Sequence, residues 1–346
     1  MVPRMNADAE TSVLVTGATG FIGAHLVRRL VAEGRRVSAV VRAASRVDEL
    51  RAAGAEVVTS EITDRTGLAR AIESSKSRVV FHVAGLVRAL HTDDFMTVNE
   101  RGVEAVAAAC ADQGEPPVLV LVSSLAAAGP SRAQPTTERD PSLPVSHYGR
   151  SKLAGERVTA KYAGTVPITI VRPCVVFGPG DRAMFEMFKS IAHYGFHVIP
   201  GRGEKRLSLI AVADVVECLL LAAERGERLA VDSASDVGRG IYFAAADDLS
   251  YRELGNAIAD SLEMQQPRIV CLPESLTRMI GGVGDVVSRL RQRAGWIGRD
   301  KLSEVLAGSW TCSAEKARRE FSWSPAASLI ERLRETATWY RDAGWF

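Results

Sequence analysis

The sequence predicts an α/β protein with a doubly wound parallel sheet of the Rossmann type and a smaller, mostly helical C-terminal substrate lobe. Short apolar runs rich in β-branched residues alternate with stretches whose apolar residues recur at helical spacing. A glycine-rich turn joins the first strand to the first helix. After Gly178 the alternation weakens, and from Pro267 onward the pattern is mainly helical. Strands that alternate with helices over such a length build a parallel sheet covered by helices on both faces.

The first predicted unit is strand, helix, strand. Residues 12–16 form an apolar run of β-formers, residues 25–34 have helical spacing, and residues 35–42 are again typical of a strand. The helix ends at Gly34, and glycine is the usual residue after a helix because it adopts the left-handed conformation readily. Such a unit implies parallel pairing through a right-handed crossover.

The later elements continue this alternation. Further strands are expected at 56–60, 78–83, 117–123 and 168–176, and near 207–211 and 240–244. Further helices are expected at 67–74, 93–113, 148–162, 183–194, 212–224 and 250–261. We therefore predict a dinucleotide-binding domain over residues 11–180, with return segments near 207–224 and 240–246. Residues 181–206 and 247–346 are predicted to form the substrate-binding lobe.

Composition and charge exclude several classes of function. The chain is 47% hydrophobic and 24% charged, which is typical of a globular rather than a disordered protein. Its net charge of +2 does not require nucleic acid or an anionic membrane as a partner. Five scattered cysteines predict reduced thiols in a cytoplasmic protein, and residues 1–10 lack the apolar run of a signal peptide. No membrane span is expected, because charges interrupt the most apolar stretch, 275–295, which is predicted to be an amphipathic helix acting as a lid or interface.

The glycine-rich turn reads TGATGFIG over residues 16–23. Gly17 allows a tight exit from the strand, Gly20 admits a pyrophosphate close to the backbone, and Gly23 lets the helix pack on the sheet. The helix N-terminus then offers N–H groups and a partial positive charge to the phosphates. No Gly-Lys-Ser/Thr follows, which disfavours a Walker-type loop. The predicted phosphate site consists of Gly17, Thr19, Gly20, Phe21, Ile22 and Gly23.

The end of the second strand bears on the choice of dinucleotide. An acidic residue about 20 positions beyond the glycines normally binds the ribose 2′-hydroxyl of NAD. Here Arg42 ends the strand, with Arg46 nearby. A guanidinium suits a 2′-phosphate, which a carboxylate would repel. The pattern favours NADP(H) and leaves NAD(H) open, the alternative being that Arg42 is a solvated surface charge.

A series of ordered motifs adds to this interpretation. After TGATGFIG come ITD with Asp64, HVAG at 82–85, VNERG at 98–102, LVSS at 121–124, YGRSK at 148–152 and RPCVVFGPGD at 172–181. LIAVADVV at 209–216 and FSWSP at 321–325 follow. In these motifs the chain resembles the extended short-chain dehydrogenase/reductase family, in its epimerase/dehydratase-like branch. The resemblance covers nearly the whole chain.

The resemblance implies roles for matched residues in cofactor binding. Asp64 and Ile62 match the pair that flanks the adenine. Ala84 and Gly85 match the backbone that lines the dinucleotide, and Asn99 matches an asparagine held close to it. The same motifs add the remaining expected cofactor contacts, which are Val83, Val122, Tyr148, Lys152, Pro173 and Val175.

The expected catalytic set is Ser124, Tyr148 and Lys152. Tyr148 and Lys152 are four residues apart, which places both on one helical face. A lysine cation at about 4 Å would attract a phenolate by roughly 4 kcal/mol before desolvation costs, enough to bring the tyrosine into general acid/base range. Serine at the end of the preceding strand can bind the substrate oxygen. Ser124 matches the family position five residues before Gly129, with Ser123 as the alternative.

The histidines do not suggest a catalytic base or a metal site. His147 is adjacent to Tyr148 on the predicted helix, so it points elsewhere. His193 and His197 have no carboxylate or cysteine partner in the sequence pattern, and no metal is expected.

Two departures from the sugar-nucleotide members of the family indicate a less polar substrate. Val175 stands where those enzymes carry a substrate-binding asparagine, and Ala128 stands where they often carry a tyrosine before Gly129. In this respect the chain is similar to the dihydroflavonol-reductase and 3β-hydroxysteroid-dehydrogenase relatives. Arg206 remains open as a phosphate contact or a surface charge.

The main hypothesis is an NAD(P)-dependent reductase or dehydrogenase that acts on a hydroxyl/carbonyl pair of a small-molecule substrate by hydride transfer. The alternative is a nucleotide-sugar epimerase or dehydratase that oxidises and re-reduces its cofactor within one turnover. A third hypothesis is a non-catalytic cofactor-sensing protein, which the presence of both Tyr148 and Lys152 disfavours. The resemblance also implies a homodimer paired through the helices at 93–113 and 148–162.

Overall fold

The computed structural model describes residues 11–201, 204–231, 237–295 and 298–346. Twelve strands are present in these ranges. They are β1 (Ser12–Thr16), β2 (Arg36–Val41), β3 (Glu56–Thr59), β4 (Val79–His82), β5 (Val118–Val122), β6 (Ile168–Pro173), β7 (Val175–Phe177), β8 (Phe196–Pro200), β9 (Arg206–Ala211), β10 (Ile241–Ala244), β11 (Asp247–Ser250) and β12 (Arg268–Leu272).

The described α-helices connect and cover these strands. They are α1 (Phe21–Ala32), α2 (Asp48–Ala52), α3 (Arg65–Ser75), α4 (Thr92–Met96), α5 (Gly102–Ala111), α6 (Leu125–Ala128), α7 (His147–Ala160), α8 (Arg182–Tyr194), α9 (Val212–Arg225), α10 (Tyr251–Ser261), α11 (Glu274–Leu290), α12 (Arg299–Ala307), α13 (Glu315–Phe321) and α14 (Leu329–Asp342).

Seven strands form one parallel sheet in the order β3-β2-β1-β4-β5-β6-β10. The chain runs outward from β1 to β3 and then resumes on the other side at β4, so the strand order reverses between β1 and β4. In a doubly wound sheet the crevice beyond the carboxyl ends of the strands at such a point binds ligands. The predicted Rossmann-type fold is confirmed.

Helices cover both faces of this sheet, as the unbroken apolar strands require. Side chains alternate along β1, so Val13 and Val15 enter one apolar core and Leu14 enters the other. Leu26 of α1 packs in the first core, and Val106 of α5 packs in the second. The helix α1 ends as predicted, because Gly34 has a φ of +77° and the following N–H of Arg35 bonds to Leu30 O at 3.0 Å.

The predicted strand at 168–176 is wrong as a single element. Residues up to Pro173 belong to β6 in the large sheet, whereas β7 begins at Val175 and pairs with β9 in a three-stranded sheet of order β11-β9-β7. The N–H of Cys174 still bonds to Ala244 O at 3.1 Å, and the chain then leaves the large sheet. The apolar run continues across this change, so the sequence pattern does not show it.

Other differences are local. The predicted helix at 93–113 consists of α4 and α5 joined by a π-helical turn, Thr97–Arg101. The mainly helical pattern predicted after Pro267 is interrupted by β12, which pairs with β8 in a two-stranded parallel sheet. Each strand of that small sheet is five residues long, and its partner lies about 70 positions away in the chain. In the described part of the chain, none of the helices combines the length and apolar character needed to cross a bilayer.

Candidate active site

The turn between β1 and α1 is built to admit a phosphate group. Gly17 has a φ of +69°, and a Cβ there would lie 2.5 Å from Ala84 N at the end of β4. A Cβ on Gly23 would lie 2.1 Å from Gly17 O, so the helix packs directly on the turn. Around Gly20, in contrast, a Cβ would meet only Gly17 O, at 3.1 Å. Gly20 is also the N-cap of α1, and no side chain caps that helix end. The residues therefore fit the pyrophosphate of a dinucleotide.

The segment after β4 faces this turn. Thr16 Oγ1 lies 2.8 Å from His82 Nδ1, and Ala84 N donates to Thr16 Oγ1 at 3.4 Å. Burial lowers the pKa of His82 to about 3, with a further contribution from the charge on Lys152, so the imidazole is neutral. His82 was not among the predicted site residues.

Asn99 joins that segment to the helix that carries the expected catalytic residues. Its side-chain amide bonds to the backbone N–H and the C=O of Leu86, both at 2.9 Å, and donates to Ser151 Oγ at 2.9 Å. A Cβ on Gly85 would lie 3.1 Å from Asn99 Oδ1 and 3.5 Å from Lys152 Nζ. The structure thus brings Gly85, Asn99 and Lys152 together.

Lys152 is buried in α7 beneath the end of β5. Its ammonium donates to Val122 O at 2.7 Å. Burial lowers the pKa of Lys152 to about 8, and the nearby negative charge of Glu156, one helical turn further on, opposes this change. The lysine therefore titrates near neutral pH, donates to one carbonyl and feels the charge of one carboxylate.

Tyr148 lies one turn before Lys152 and hydrogen-bonds to Ser124. Burial raises the pKa of Tyr148 to about 12, the bond to Ser124 lowers it, and the charge of Glu304 raises it further. The expectation that Lys152 draws Tyr148 toward the phenolate is wrong for this arrangement. The physical reason is that desolvation and a neighbouring carboxylate both favour the neutral phenol. The ammonium of Lys152 donates to Val122 O.

The two candidate serines have different environments. Ser124 is the N-cap of α6, where its Oγ accepts from Ala126 N at 3.1 Å, and it is partly exposed. Ser123 is buried and donates from its hydroxyl to Glu156. Of the two serines, the structure places Ser124 beside Tyr148.

A buried ion pair supports the helix that carries Tyr148 and Lys152. Arg172 of β6 donates to both carboxylate oxygens of Glu156, at 2.8 and 2.5 Å, and both side chains are 4% exposed. Arg172 also donates to Ser142 and lies over the ring of Phe243. Glu156 was not among the expected site residues, although its position four residues after Lys152 on the same helical face was a usable signal.

Two carboxylates of α12 hold the start of the same helix. Asp300 accepts the backbone N–H of His147 at 2.6 Å and that of Tyr148 at 3.2 Å. Glu304 is buried and accepts from Ser146 Oγ at 2.6 Å. Both acids lie about 150 positions from their partners, so no local pattern could reveal them.

The other predicted cofactor residues lie around the same edge of the sheet. Arg42 follows β2 and is exposed. Asp64 caps α3 by accepting Gly67 N at 3.0 Å, and Ile62 packs against Gly102. Pro173 ends β6 and Val175 begins β7. The remaining members, Thr19, Phe21, Ile22 and Val83, adjoin the glycine turn and the end of β4.

The remaining polar residues have structural partners. Arg206 pairs with Glu253 at 3.1 Å and donates to Asp248 O at 2.6 Å, so acidic and carbonyl groups already surround it. His197 Nε2 lies 3.0 Å from Tyr251 O. Over the described ranges, no group of three or more His, Cys, Asp or Glu side chains is arranged to hold a metal ion.

Comparisons with known proteins extend these observations. The family described as "NAD dependent epimerase/dehydratase family" matches residues 13–238. A ceramide reductase of Caulobacter vibrioides is 34% identical over 99% of this chain and 98% of that protein. A UDP-glucose 4-epimerase of Mycolicibacterium smegmatis is 28% identical over 95% of this chain and 98% of that protein. The solved dTDP-glucose 4,6-dehydratase of Bacillus anthracis in complex with NAD shares the fold, with a TM-score of 0.75 at 19% identity over 97% of this chain and 98% of that one.

Proposed function

The chain belongs to the NAD dependent epimerase/dehydratase family. On that premise we propose that it prefers NADP(H) and reduces the ketone group of long-chain, apolar substrates. A nicotinamide dinucleotide bound over the glycine turn supplies the hydride. The turn of Gly17, Gly20 and Gly23 would hold its pyrophosphate, and Arg42 would bind its 2′-phosphate. The domain division at residue 180 and the cofactor contacts of Asp64, Ile62, Val83, Pro173 and Val175 are parts of the same proposal.

The pairing of Tyr148 with Ser124 at the carboxyl edge of the sheet is the observation that carries this proposal. A phenol whose pKa is about 12 is protonated at neutral pH, so Tyr148 is ready to donate its proton to the oxygen of a carbonyl being reduced. Ser124 binds the same oxygen and orients it. Lys152, one helical turn from Tyr148 and with a pKa of about 8, adds positive charge to this part of α7.

The substrate class is inferred from two apolar residues, Ala128 and Val175, that stand where the sugar-nucleotide members of the family carry polar ones. Ala128 ends α6 and is buried, and Val175 is half-buried against the same core as Tyr148. Neither offers a hydrogen bond to a sugar hydroxyl. The relative named ceramide reductase, which matches almost end to end, supports a lipid-like ketone.

A nucleotide-sugar epimerase is the second candidate, favoured by the match to the UDP-glucose 4-epimerase. The two functions differ in cofactor balance. A reductase consumes one reduced dinucleotide for each product, whereas an epimerase restores its cofactor in every turnover. A cofactor-sensing role without turnover is the third.

The experiment combines native mass spectrometry, to identify the dinucleotide that accompanies the purified protein, with an assay of NADPH consumption on a long-chain ketone and on UDP-glucose. We expect net consumption with the ketone only. Tyr148→Phe should lower kcat by about 100-fold or more while the Kd for NADPH stays within about twofold. Tyr162→Phe is the matched control and should retain activity. Product formation from UDP-glucose without net cofactor consumption would establish the epimerase, and full activity of Tyr148→Phe would refute the proton-transfer role.

We further propose a cytoplasmic homodimer that pairs through α4, α5 and α7. The molar mass in solution by light scattering tests the dimer, because a monomeric mass at micromolar concentration would exclude it.

A further inference from the structure

Helix α11 presents a row of apolar side chains on its outer face, and we propose that this row binds the protein to the surface of an anionic phospholipid bilayer. The inference goes beyond the proposed function, because attachment to a bilayer does not depend on hydride transfer. We call this row the α11 stripe, and its members are Leu276, Met279, Val283, Val286, Val287 and Leu290.

The α11 stripe is continuous and exposed. Its members recur at intervals of one, three or four residues, so they share one side of the helix. Met279 is 61% exposed, Val283 is 59% exposed and Leu290 is 79% exposed. Single exposed apolar residues are ordinary on soluble proteins, but six along one helix form a contiguous patch that indicates a binding surface.

The opposite side of α11 is the side that packs on the protein. Thr277 and Gly281 are buried, and a Cβ on Gly281 would lie 2.7 Å from Leu302 Cδ1 of α12. Asp285 accepts the backbone N–H of Arg299 at 3.2 Å and pairs with the Arg299 guanidinium at 3.7 Å. Small and polar groups therefore seat the helix on α12, while its apolar groups point outward. This reverses the usual orientation of an amphipathic helix on a soluble protein, so packing among the described residues does not account for the α11 stripe.

The charges around the α11 stripe select an anionic lipid surface as its occupant. Arg278 and Arg289 are exposed and, eleven residues apart, lie on the same flank of the helix; Arg291 and Arg293 follow its C-terminus and are also exposed. The acidic residues of the helix are Glu274 and Asp285, and Arg299 already pairs with the latter. An apolar row flanked by arginines is the composition of helices that lie in the plane of a bilayer, with long basic side chains reaching the headgroups.

A second copy of the chain fits this surface less well. An antiparallel two-fold interface through the α11 stripe would bring Arg278 and Arg289 of the two copies to the same side, where like charges repel. Anionic headgroups instead neutralise each arginine. The net charge of +2 over the whole chain hides this local concentration.

The arrangement also connects the bilayer surface to the candidate active site. Helix α11 packs on α12, and α12 supplies Asp300 and Glu304 to the start of α7, where Tyr148 lies. Attachment through the α11 stripe would therefore hold the helix that carries Tyr148 near the lipid surface. A substrate dissolved in the bilayer would reach such a site without crossing water.

Flotation of the full chain with vesicles tests the proposal. One set of vesicles contains phosphatidylcholine alone, and the other contains phosphatidylcholine mixed with phosphatidylglycerol. We expect the wild type to float with the mixed vesicles. Val283→Ser should lower the partition coefficient by about tenfold. Val231→Ser, which makes the same change at a residue 77% exposed outside α11, should leave it unchanged.

Two further measurements separate the sources of binding. Arg289→Gln and Arg291→Gln should each lower partitioning to the mixed vesicles by about fivefold. Binding of the wild type that is equal on neutral and mixed vesicles would overturn the anionic preference. Failure of the wild type to bind mixed vesicles, or wild-type binding by Val283→Ser, would overturn the whole proposal. So would a concentration-dependent dimer that Val283→Ser abolishes while vesicle binding is absent.

The vesicle assay also keeps this proposal distinct from the proposed function. If the protein binds vesicles but consumes no NADPH with any ketone, the bilayer proposal stands and the reductase proposal is refuted. Turnover of a detergent-dispersed ketone by a protein that never binds vesicles would do the reverse. Thermal unfolding of Val283→Ser and Val231→Ser verifies that both variants are folded.

Discussion

Burial of the positive charge of Lys152 lowers the free energy of unfolding, and replacing Lys152 with methionine measures this loss. The pKa falls from 10.5 to about 8 on burial, which corresponds to roughly 3 kcal/mol of destabilisation of the folded protein near neutral pH. The folded pKa lies below the unfolded one, so the penalty is full below about pH 8. It shrinks as the pH rises from about 8 to 10.5, and it vanishes above that range.

Lys152→Met removes this charge and keeps the length of the side chain. It also leaves Val122 O without the 2.7 Å bond, at a cost of about 1–3 kcal/mol, so the two effects nearly offset each other at neutral pH. The decisive quantity is therefore the pH dependence of the difference in the free energy of unfolding between variant and wild type. We expect the free energy of unfolding of the variant, minus that of the wild type, to fall by about 2 kcal/mol between about pH 7 and about pH 10.

The assay is urea denaturation of both proteins, freed of nucleotide, across this pH range. Lys161→Met is the control, because Lys161 directly follows the same helix and its side chain is 68% exposed. Its difference from the wild type should vary by less than about 0.5 kcal/mol. Turnover of Lys152→Met should drop by about 100-fold or more. A difference for Lys152→Met that stays flat between the two pH values would refute the claim that burial sets the lysine pKa.

Three further perturbations test other parts of the site. Arg42→Asp should raise the KM for NADPH relative to NADH by about tenfold or more, because a carboxylate repels the 2′-phosphate; an unchanged ratio of kcat/KM values would make Arg42 a surface charge only. Asp300→Ala should lower the free energy of unfolding by about 1–2 kcal/mol and reduce kcat, since two N–H groups at the start of α7 lose their acceptor. Asp300→Asn has one acceptor oxygen, so it can keep only one of the two bonds and should recover about half of both losses; equal losses in the two variants would contradict the capping role. Glu156→Gln should cost about 3–5 kcal/mol in urea denaturation because it leaves Arg172 buried without its ion pair, and a cost below about 1 kcal/mol would show that the pair is not essential to the fold.

The strand and helix pattern and the glycine turn could be predicted because they depend on neighbouring residues. Period-two and period-3.6 spacing of apolar groups reflects the geometry of a single strand or helix, and it correctly indicated the parallel sheet. Gly17 adopts a positive φ where the chain turns sharply, and glycine is the residue type that a sequence carries at such a position. The spacing of Tyr148 and Lys152 likewise follows from one helical turn.

Other features depended on the tertiary structure. The break between β6 and β7 lies inside one apolar run, and the short strands β8 and β12 stabilise each other by pairing across about 70 residues. Ser123 and Ser124 are adjacent residues of one type that only the family resemblance separates in the sequence, whereas folding directs Ser123 to Glu156 and leaves Ser124 beside Tyr148.

The sequence by itself determined the fold class and the position of the glycine turn, and it led to the prediction that Ser124, Tyr148 and Lys152 handle the proton. Tertiary structure decided their electrostatics, because desolvation and Glu304 raise the pKa of Tyr148, whereas the helical spacing alone predicted the opposite. It also decided which side of α11 faces outward. Periodicity shows that a helix has an apolar side, but only packing against α12 determines that this side remains exposed, because the contacts that seat a helix come from residues distant in the chain.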